Sequence, residues 1–271
     1  MSIHLKFCII LTMDISQQQL LSQLTHLTAL PRPLFGQQLS LPNHAISTPH
    51  CHPWAQLSYA IRGVIKVNTP KGQFIAPPTH GIFIPPQVMH GVHSTSHTLI
   101  RSLYIDADTI AWQSCQVLSI EPLLKELIIA FSAFPVEYDE QGSEGRLVAV
   151  LLDRLASAQA SQLMLPWPNS PSLIELCRYL AQHPDDCRPL AHFSGALAIS
   201  DKTLSRGFKK ETGMNFRQWR QRSRLLAALP LLESGMRITD VALACGYDSL
   251  SAFIAAFKAL LGSTPGEYLI K

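Results

Sequence analysis

Apolar residues recur with two different spacings along this chain of 271 residues. Between residues 38 and 106 they form short runs with alternating polar positions, separated by Gly, Pro and Asn, which is typical of strands in a small antiparallel barrel or jelly roll. In the last hundred residues they stand three and four positions apart, as on one face of an α-helix. The pattern predicts an α+β chain with a β-rich N-terminal domain and an all-α C-terminal domain.

The C-terminal domain contains the same helical unit twice. A short helix, a tight turn and a second helix are predicted at residues 190–211 and again at residues 238–261. In the second unit Gly246 supplies the turn, where glycine adopts a left-handed backbone at little cost. Ala198 occupies that position in the first unit, and a positive φ there would cost roughly 1 kcal/mol. The chain therefore predicts two helix-turn-helix motifs.

Polar residues precede the second helix of each unit. Ser200 stands before this helix in the first unit, and Asp248 or Ser249 can cap it in the second. A side-chain oxygen at such a position accepts a hydrogen bond from an unpaired N–H group of the first turn. Between the two units, residues 216–226 predict a helix with one apolar side and one densely basic side. We expect this helix to set the distance between the two motifs.

The same hundred residues carry a set of short motifs, namely Leu204-Ser205-Arg206-Gly207-Phe208-Lys209, Gly213, Trp219-Arg220, Arg224-Leu225, Val241-Ala242, Gly246-Tyr247-Asp248-Ser249, Phe253, Phe257-Lys258 and Gly262-Ser263-Thr264-Pro265. Together these residues resemble the AraC/XylS family of bacterial transcription regulators across residues 172–271. The resemblance implies a DNA-binding domain there, with double-stranded DNA as a partner.

The resemblance also implies which residues face the DNA, because in relatives the exposed side of each second helix enters one of two adjacent major grooves. Arg206 can form a bidentate contact with guanine, whereas Ile254 offers only apolar contact, for instance to a thymine methyl group. For Leu250 and Ile254, burial against the protein itself is the alternative. We expect Lys209 and Arg220 to contact mainly phosphate. The expected DNA-binding residues are Lys202, Ser205, Arg206, Lys209, Arg220, Ser249, Leu250, Ser251, Ile254 and Ala255.

The distribution of charge agrees with this assignment. Residues 172–271 hold 13 Lys and Arg against 9 Asp and Glu, a net charge of +4, which leaves a net charge of −1 for residues 1–171. A run of basic residues is often only a solvated surface. Within a helix-turn-helix frame it favours contact with phosphate.

Histidines in the N-terminal domain follow a second recognisable pattern. His50 and His52 precede Gln56, and His90 follows a later strand. This arrangement resembles the two cupin motifs, and specifically the sensor cupin of one branch of the AraC family, over roughly residues 38–106. The resemblance implies that the three histidines occupy the ligand positions of metal-binding cupins. Gln56, however, stands where those cupins have a carboxylate.

Three interpretations of this cluster follow. A neutral amide is a poor ligand for a dication, so three imidazoles would hold a metal without anionic help and its affinity would be lower. The same side chains can line a metal-free pocket for an anionic or aromatic effector, or can hydrogen-bond one another as structural residues. We therefore expect an effector site at His50, His52, Gln56 and His90, at which the three histidines are compatible with a divalent metal cofactor.

Helical periods begin after Asp108, at residues 122–131 and 146–155. Both segments carry more apolar surface than one barrel face could cover, so they predict either a paired interface between two chains or packing on their own barrel. A proline-rich stretch then indicates a stiff linker. The expected domains are an N-terminal extension (1–37), a cupin-like sensor barrel (38–110), a helical dimerisation region (111–165), a linker (166–171) and the DNA-binding domain (172–271).

Composition adds three expectations. Charged residues make up only 15% of the chain, which suggests that part of the surface is covered by self-association. Six cysteines are scattered without a CxxC pair, as is usual for reduced thiols in a cytoplasmic protein. The apolar stretch 7–11 is too short to span a membrane, so either translation starts at Met13 or this stretch is a buried first strand.

These expectations combine into a regulator rather than an enzyme. We expect a cytoplasmic homodimeric transcription regulator, either an activator or a repressor, that binds a small-molecule effector in its barrel and has RNA polymerase as a further partner. The alternative is a cupin-type metalloenzyme with a DNA-binding appendage. The missing carboxylate and the lack of an acid–base pair near the histidines disfavour that alternative.

Overall fold

The computed structural model describes residues 15–110 and 112–270 of the chain. Its N-terminal domain consists mainly of short strands in two sheets, and its C-terminal domain is helical. The strands are β1 (Leu34–Phe35), β2 (Ala55–Arg62), β3 (Ile65–Thr69), β4 (Gly72–Ala76), β5 (His80–Ile84), β6 (Gly91–Ser94), β7 (Leu99–Ile100), β8 (Leu103–Ile105), β9 (Gln116–Ser119), β10 (Ala160–Ser161) and β11 (Met164–Pro166).

Helices flank the sheets and then form the rest of the chain. None of the helices in the described residues combines the length and the hydrophobicity needed to cross a membrane. The helices are α1 (Ile15–His26), α2 (Pro122–Ser132), α3 (Ser143–Ala156), α4 (Pro171–Gln182), α5 (Leu190–Ala196), α6 (Asp201–Thr212), α7 (Phe216–Glu233), α8 (Ile238–Ala244), α9 (Leu250–Leu261) and α10 (Pro265–Ile270).

Both sheets of the described N-terminal domain are antiparallel. One has the strand order β1-β8-β2-β5-β9-β10, with β7 also paired to β2, and the other has the order β11-β4-β3-β6. In β3, Ile65 and Val67 are fully buried, whereas Lys66 and Asn68 are only half-buried. Side chains alternate between the two faces of a strand, so Lys66 and Asn68 lie on the outer face of the second sheet. The predicted fold class is confirmed: an antiparallel sheet domain precedes an all-helical domain with two helix-turn-helix motifs.

The sheets extend beyond the expected barrel segment, residues 38–110. Strand β1 precedes that segment, and β9, β10 and β11 follow it, so part of the expected helical region 111–165 is strand. Strands of two to four residues are too short to show an alternating pattern, which is why the sequence did not reveal them. The stretch between the domains is also shorter than residues 166–171, because Pro166 ends β11 and Pro171 begins α4.

The N-terminal extension contributes a helix that packs on the barrel. Leu24 of α1 is buried in a small cluster with Ile46, Trp54 and Tyr104. Met13 and the apolar stretch 7–11 lie outside the described residues. The two alternatives for this stretch, a translation start at Met13 and a buried first strand, therefore stay predictions.

Helices α2 and α3 confirm the two helical segments expected after the barrel, and they pack on the first sheet of their own chain. Phe131 and Leu151 are buried in the same cluster as Leu57 of β2. Packing on the barrel thus accounts for one face of the pair. On the outer side, Leu123 is 55% exposed and Val150 is 47% exposed.

The two helix-turn-helix motifs have the predicted bounds to within one residue. Helices α5 and α6 form the first, and α8 and α9 form the second. The side chain of Ser200 accepts a hydrogen bond from the N–H of Thr203, and Ser249 accepts one from the N–H of Ala252. Of the two candidates in the second motif, Ser249 rather than Asp248 is therefore the cap.

Both turns contain a residue with a left-handed backbone. Gly246 has a φ of 72° and Ala198 has a φ of 53°. The positive φ at Ala198 confirms the expectation from its position. Since alanine pays a steric cost there that glycine does not, this turn is a strained point of the first motif.

Helix α7 joins the two domains as well as the two motifs. Its Trp219 is fully buried, and the indole N–H donates a hydrogen bond of 2.8 Å to the carbonyl oxygen of Pro166 at the end of β11. Arg222 donates a hydrogen bond of 2.9 Å to the side-chain oxygen of Gln162, which lies between β10 and β11. An edge strand of the second sheet is thereby bonded directly to the helical domain.

The strain at Ala198 predicts a stabilising substitution. Ala198→Gly should raise the free energy of unfolding by roughly 1 kcal/mol, because glycine adopts the left-handed conformation without a Cβ clash. The measurement is chemical denaturation of the full chain followed by circular dichroism.

Ala259→Gly is the matched control, because it removes the same methyl group from an exposed position inside α9. Glycine is unfavourable in a helix interior, so this variant should lose about 0.5–1 kcal/mol. An Ala198→Gly protein that unfolds at a lower denaturant concentration than the wild type would show that the turn is not strained.

Candidate functional sites

The exposed side of α6 is basic. Lys202, Arg206, Lys209 and Lys210 are exposed and line a shallow open concavity together with the half-buried Ser205. In the described residues these four cations take part in no salt bridge. The surface is therefore free to meet an anionic partner.

The opposite side of α6 explains why the basic side faces outward. Leu204 and Phe208 are buried, and the ring of Phe208 meets the rings of Phe216 and Trp219 edge-on at 5.6 and 5.8 Å. Burial of two large side chains against α7 fixes the rotation of α6 about its axis. The expected contact residues Lys202, Ser205 and Arg206 consequently share one surface.

The corresponding side of α9 is mostly apolar or small. Leu250 is 39% exposed, and Ser251 and Ala255 are exposed as well. Ile254 is half-buried and packs against the core, so the alternative of burial holds for part of this side chain. The Ser249 hydroxyl is occupied as the cap of the helix. The second motif thus presents few hydrogen-bonding groups compared with the first.

The basic run on α7 is largely used inside the protein. Arg220 donates a hydrogen bond of 2.6 Å to the carbonyl oxygen of Arg188, and its guanidinium lies over the ring of Phe216. Arg224 donates to the carbonyl oxygen of Pro184 at 2.8 Å. A phosphate contact by Arg220 stays a prediction, and it would compete with this internal hydrogen bond.

Two exposed basic residues complete the candidate surface beyond those expected from the resemblance. Lys210 lies beside Lys209 in the same concavity, and Arg217 at the start of α7 is exposed. Both stand in the basic run of the sequence. That run does not distinguish them from neighbouring arginines that bind backbone carbonyls.

The three expected histidines come together at one end of the barrel. His50 and His90 form an isolated antiparallel β-bridge, and His52 lies shortly before β2, which carries Gln56. The ring centroids of His50 and His90 are 4.4 Å apart, and those of His52 and His90 are 5.0 Å apart. Gln56 and the three rings are all buried. The structure therefore assembles the complete predicted cluster.

Backbone carbonyls orient each ring in the same way. The Nδ1 atoms of His50, His52 and His90 lie 2.7, 2.7 and 2.8 Å from backbone carbonyl oxygens. A carbonyl accepts only, so each Nδ1 carries the proton and each Nε2 keeps its lone pair. Such a hydrogen bond is the usual support of a metal-binding histidine.

Burial keeps these imidazoles neutral. Desolvation lowers the pKa of His52 to about 4 and that of His90 to about 3. It also lowers the pKa of His50. Neutral imidazole is the form that binds metal ions.

Gln56 lies between two of the rings. Its side-chain oxygen is 3.1 Å from the Nε2 atoms of both His52 and His90. All three groups would then present lone pairs, which is favourable only if they share a cation. The metal-free alternative is an amide turned by half a rotation, so that its NH₂ group donates to both Nε2 atoms.

The donor set fits a divalent ion. Each histidine offers one ligand atom, and these atoms lie within 4.8 Å of one another. Ligands about 2.1 Å from a tetrahedral zinc ion are about 3.4 Å apart, so the three atoms would approach one another by up to about 1.4 Å on binding the ion.

Trp54 is a further residue of interest that the sequence analysis did not identify. Its ring stacks on that of His52 at a centroid distance of 5.4 Å, and its indole N–H is buried without a hydrogen-bond partner among the described residues. An unsatisfied buried donor is costly, and a bound water, ion or ligand would relieve that cost. Its position between His52 and Gln56 in the sequence was the available signal.

Two family models match the chain. The model described as "Helix-turn-helix domain" matches residues 193–270, and the model described as "AraC-like ligand binding domain" matches residues 33–152. Both matches cover the regions in which the two candidate sites lie.

Named relatives match over most of the chain. The HTH-type transcriptional regulator NimR of Escherichia coli strain K12 is 34% identical over 226 residues, which are 83% of this chain and 83% of that protein. The probable transcriptional regulator LumQ of Photobacterium leiognathi is 24% identical over 229 residues, 82% of this chain and 91% of LumQ. Among solved structures, the DNA-binding domain of the transcriptional factor AdpA in complex with a target DNA matches 37% of this chain and 92% of that chain, at 29% identity and a TM-score of 0.36.

Proposed function

The chain belongs to the AraC family of DNA-binding transcriptional regulators, and on that basis we propose that an effector in its barrel changes how the two helix-turn-helix motifs are presented to DNA. The protein is a regulator and not an enzyme, as the names of its relatives also indicate. The observation that carries the proposal is the pairing of an exposed basic helix in one domain with a buried ligand cluster in the other. The proposal includes two further partners, RNA polymerase and a second copy of the chain. It also includes a cytoplasmic location.

The two motifs divide the reading of DNA unequally. On α6, Arg206 reaches out with five N–H donors and can bind a guanine edge in the major groove. On α9, the exposed side chains of Leu250 and Ala255 offer apolar contact and shape complementarity. We infer that the first motif supplies most of the hydrogen-bonded base recognition, and that the second mainly follows the backbone and the shape of the groove.

Substitution of Arg206 tests this division. Arg206→Ala should cost about 1–3 kcal/mol on the preferred operator and relax the preference at one base pair. Lys209→Ala should weaken all sequences alike and lower the slope of log K against log salt by about 1. The measurement is selection of binding sites from random DNA followed by titration at several salt concentrations.

Arg178→Ala is the matched control, since Arg178 is exposed on α4 outside the basic surface of α6. It should leave the preferred sequence and the salt slope unchanged. Equal losses on operator and random DNA for Arg206→Ala would remove this residue from base recognition.

The barrel would hold a divalent metal through the Nε2 atoms of His50, His52 and His90, with the Gln56 oxygen as a weak fourth ligand. The metal would supply a positive Lewis-acidic centre for an anionic effector group. The chain's own part is to orient the rings through backbone carbonyls and to keep them neutral by burial. The buried Trp54 N–H would donate a hydrogen bond to the same effector.

Metal content tests the histidine cluster. Full-length wild-type protein should contain zinc, nickel or iron at one atom per chain, and His52→Ala should lose it, as quantified by mass spectrometry of the metal. Response of a reporter gene to the inducer should disappear in a protein carrying both His52→Ala and His90→Ala. Basal DNA binding should persist, because the cluster and the basic surface lie in different domains.

His26→Ala serves as the control, because His26 is exposed on α1 and outside the cluster. Absence of metal from the wild type would favour the organic pocket over the metal. An induced response that survives the double substitution would place the effector elsewhere.

Self-association would use the outer side of α2 and α3. Leu123 and Val150 remain exposed there after the inner faces have packed on the barrel. The inner faces of α2 and α3 belong to the core of the barrel domain, so the interface is tested by substitutions on their outer side. A pair of helices that presents apolar side chains outward suits a symmetric interface between two identical chains.

Leu123→Glu together with Val150→Glu should convert a dimer into a monomer, because buried unpaired carboxylates are costly. Light scattering after size-exclusion chromatography measures the mass. Leu39→Glu is the control, since Leu39 is 92% exposed elsewhere on the barrel domain. A wild-type protein that is already monomeric at micromolar concentration would exclude the interface.

A further inference from the structure

A cavity lies between the two domains, on the side of the second sheet that faces the helices. Its volume is about 160 Å³, similar to that of an engineered apolar cavity of about 150 Å³ that binds benzene. The barrel contributes Val64, Lys66, Gln73, Ile75, His93, Ser94 and Thr95, and the helical domain contributes Ala181, Ser223, Leu226, Ala227 and Pro230.

The permanent charge that lines this cavity is positive. Lys66 is its one permanent cation, and no Asp or Glu stands among the described residues that line it. The ammonium group of Lys66 is half-buried and forms no salt bridge with the described residues. His93 is paired with Lys66 across β3 and β6 and faces the same cavity.

Partial burial makes the charged form of Lys66 less favourable. Burial lowers the pKa of Lys66, and burial together with the nearby Lys66 lowers the pKa of His93. A buried cation without a counter-ion is destabilising, and an anion bound beside it would offset that cost. The site therefore favours a negatively charged occupant over a neutral one.

The helical wall supplies the other requirements of a binding site. Ser223 of α7 is 3% exposed and lines the cavity on the helical side. Leu226 and Ala227 add apolar surface beside it. A carboxylate could bind the ammonium and the hydroxyl while a small apolar body lies on the remaining wall.

An open cleft leads to the cavity. It shares Thr95 and Pro230 with the cavity, and Arg62 and His97 stand among its lining residues. The carboxylate Glu233 in this cleft accepts a hydrogen bond of 2.7 Å from the hydroxyl of Tyr268. The cleft is therefore a neighbour of the cavity and carries both a cation, Arg62, and an anion, Glu233.

We propose that a small organic carboxylate, about as large as benzoate, binds between the domains on Lys66 and Ser223. It would contact the outer face of the second sheet and α7 together, so its binding energy would favour the docked arrangement of the two domains. This site is separate from the histidine cluster, and the proposal does not depend on the effector or metal assigned there.

Calorimetric titration of the full chain tests the site with benzoate, phenylacetate and hexanoate as probes. At least one probe should bind saturably at one molecule per chain, and benzamide, the neutral counterpart of benzoate, should bind far more weakly. Lys66→Met should weaken binding by about tenfold or more, because it removes a charge-assisted hydrogen bond. Ala227→Leu should fill part of the cavity and weaken binding too.

Lys71→Met is the matched control, since it removes the same charge from an exposed position in the turn between β3 and β4. It should bind the probe like the wild type, and His52→Ala should do so as well. Circular dichroism and DNA titration establish that each variant is folded. Failure of all three carboxylates to bind, or equal affinity of Lys66→Met and the wild type, would overturn the proposal.

Discussion

The hydrogen bond from the Trp219 indole to Pro166 joins the last strand of the sheet domain to the core of the first helix-turn-helix motif. The ring of Trp219 packs against Phe208 of the first motif and lies 6.1 Å from the ring of Trp167, while its N–H satisfies a carbonyl at the end of β11. A buried indole N–H without a partner would be costly, so the packing of the ring and the position of β11 must be satisfied together. Together with the burial of Leu204 and Phe208, this side chain sets the orientation of α6 and of its basic surface.

Helix α7 also positions the turn of the second motif, through a half-buried polar side chain that binds backbone carbonyls. Arg224 binds the carbonyl oxygens of Pro184 and Asp186, and its guanidinium lies so close to Gly246 that a side chain at that position would meet it at 2.8 Å. Glycine is thus required there for space as well as for its positive φ. Arg224 thereby holds two turns of the helical domain against one helix.

The helical half was predictable in detail because its signals are local. Turn residues, capping residues and an apolar spacing of three and four specify each motif without reference to the rest of the chain. The histidine cluster was predictable as a set, because the spacing of His50, His52 and Gln56 resembles a known motif. Its burial and the common orientation of the rings were not, since they depend on carbonyls that only the folded backbone brings near. Likewise nothing local distinguishes Arg220 and Arg224, which bind backbone carbonyls, from Arg206, which does not.

The short connection between the domains sets a limit on movement. Only residues 167–170 separate the end of β11 from the start of α4. Four residues span at most about 14 Å when fully extended, whereas one turn of duplex DNA measures about 34 Å. As long as β11 remains paired with β4, the segment that connects each DNA-binding domain to its barrel is therefore shorter than half a turn of DNA. Two such proteins joined through their barrels would tolerate only a limited change in the spacing of two half-sites, and a larger insertion would require them to give up an edge strand.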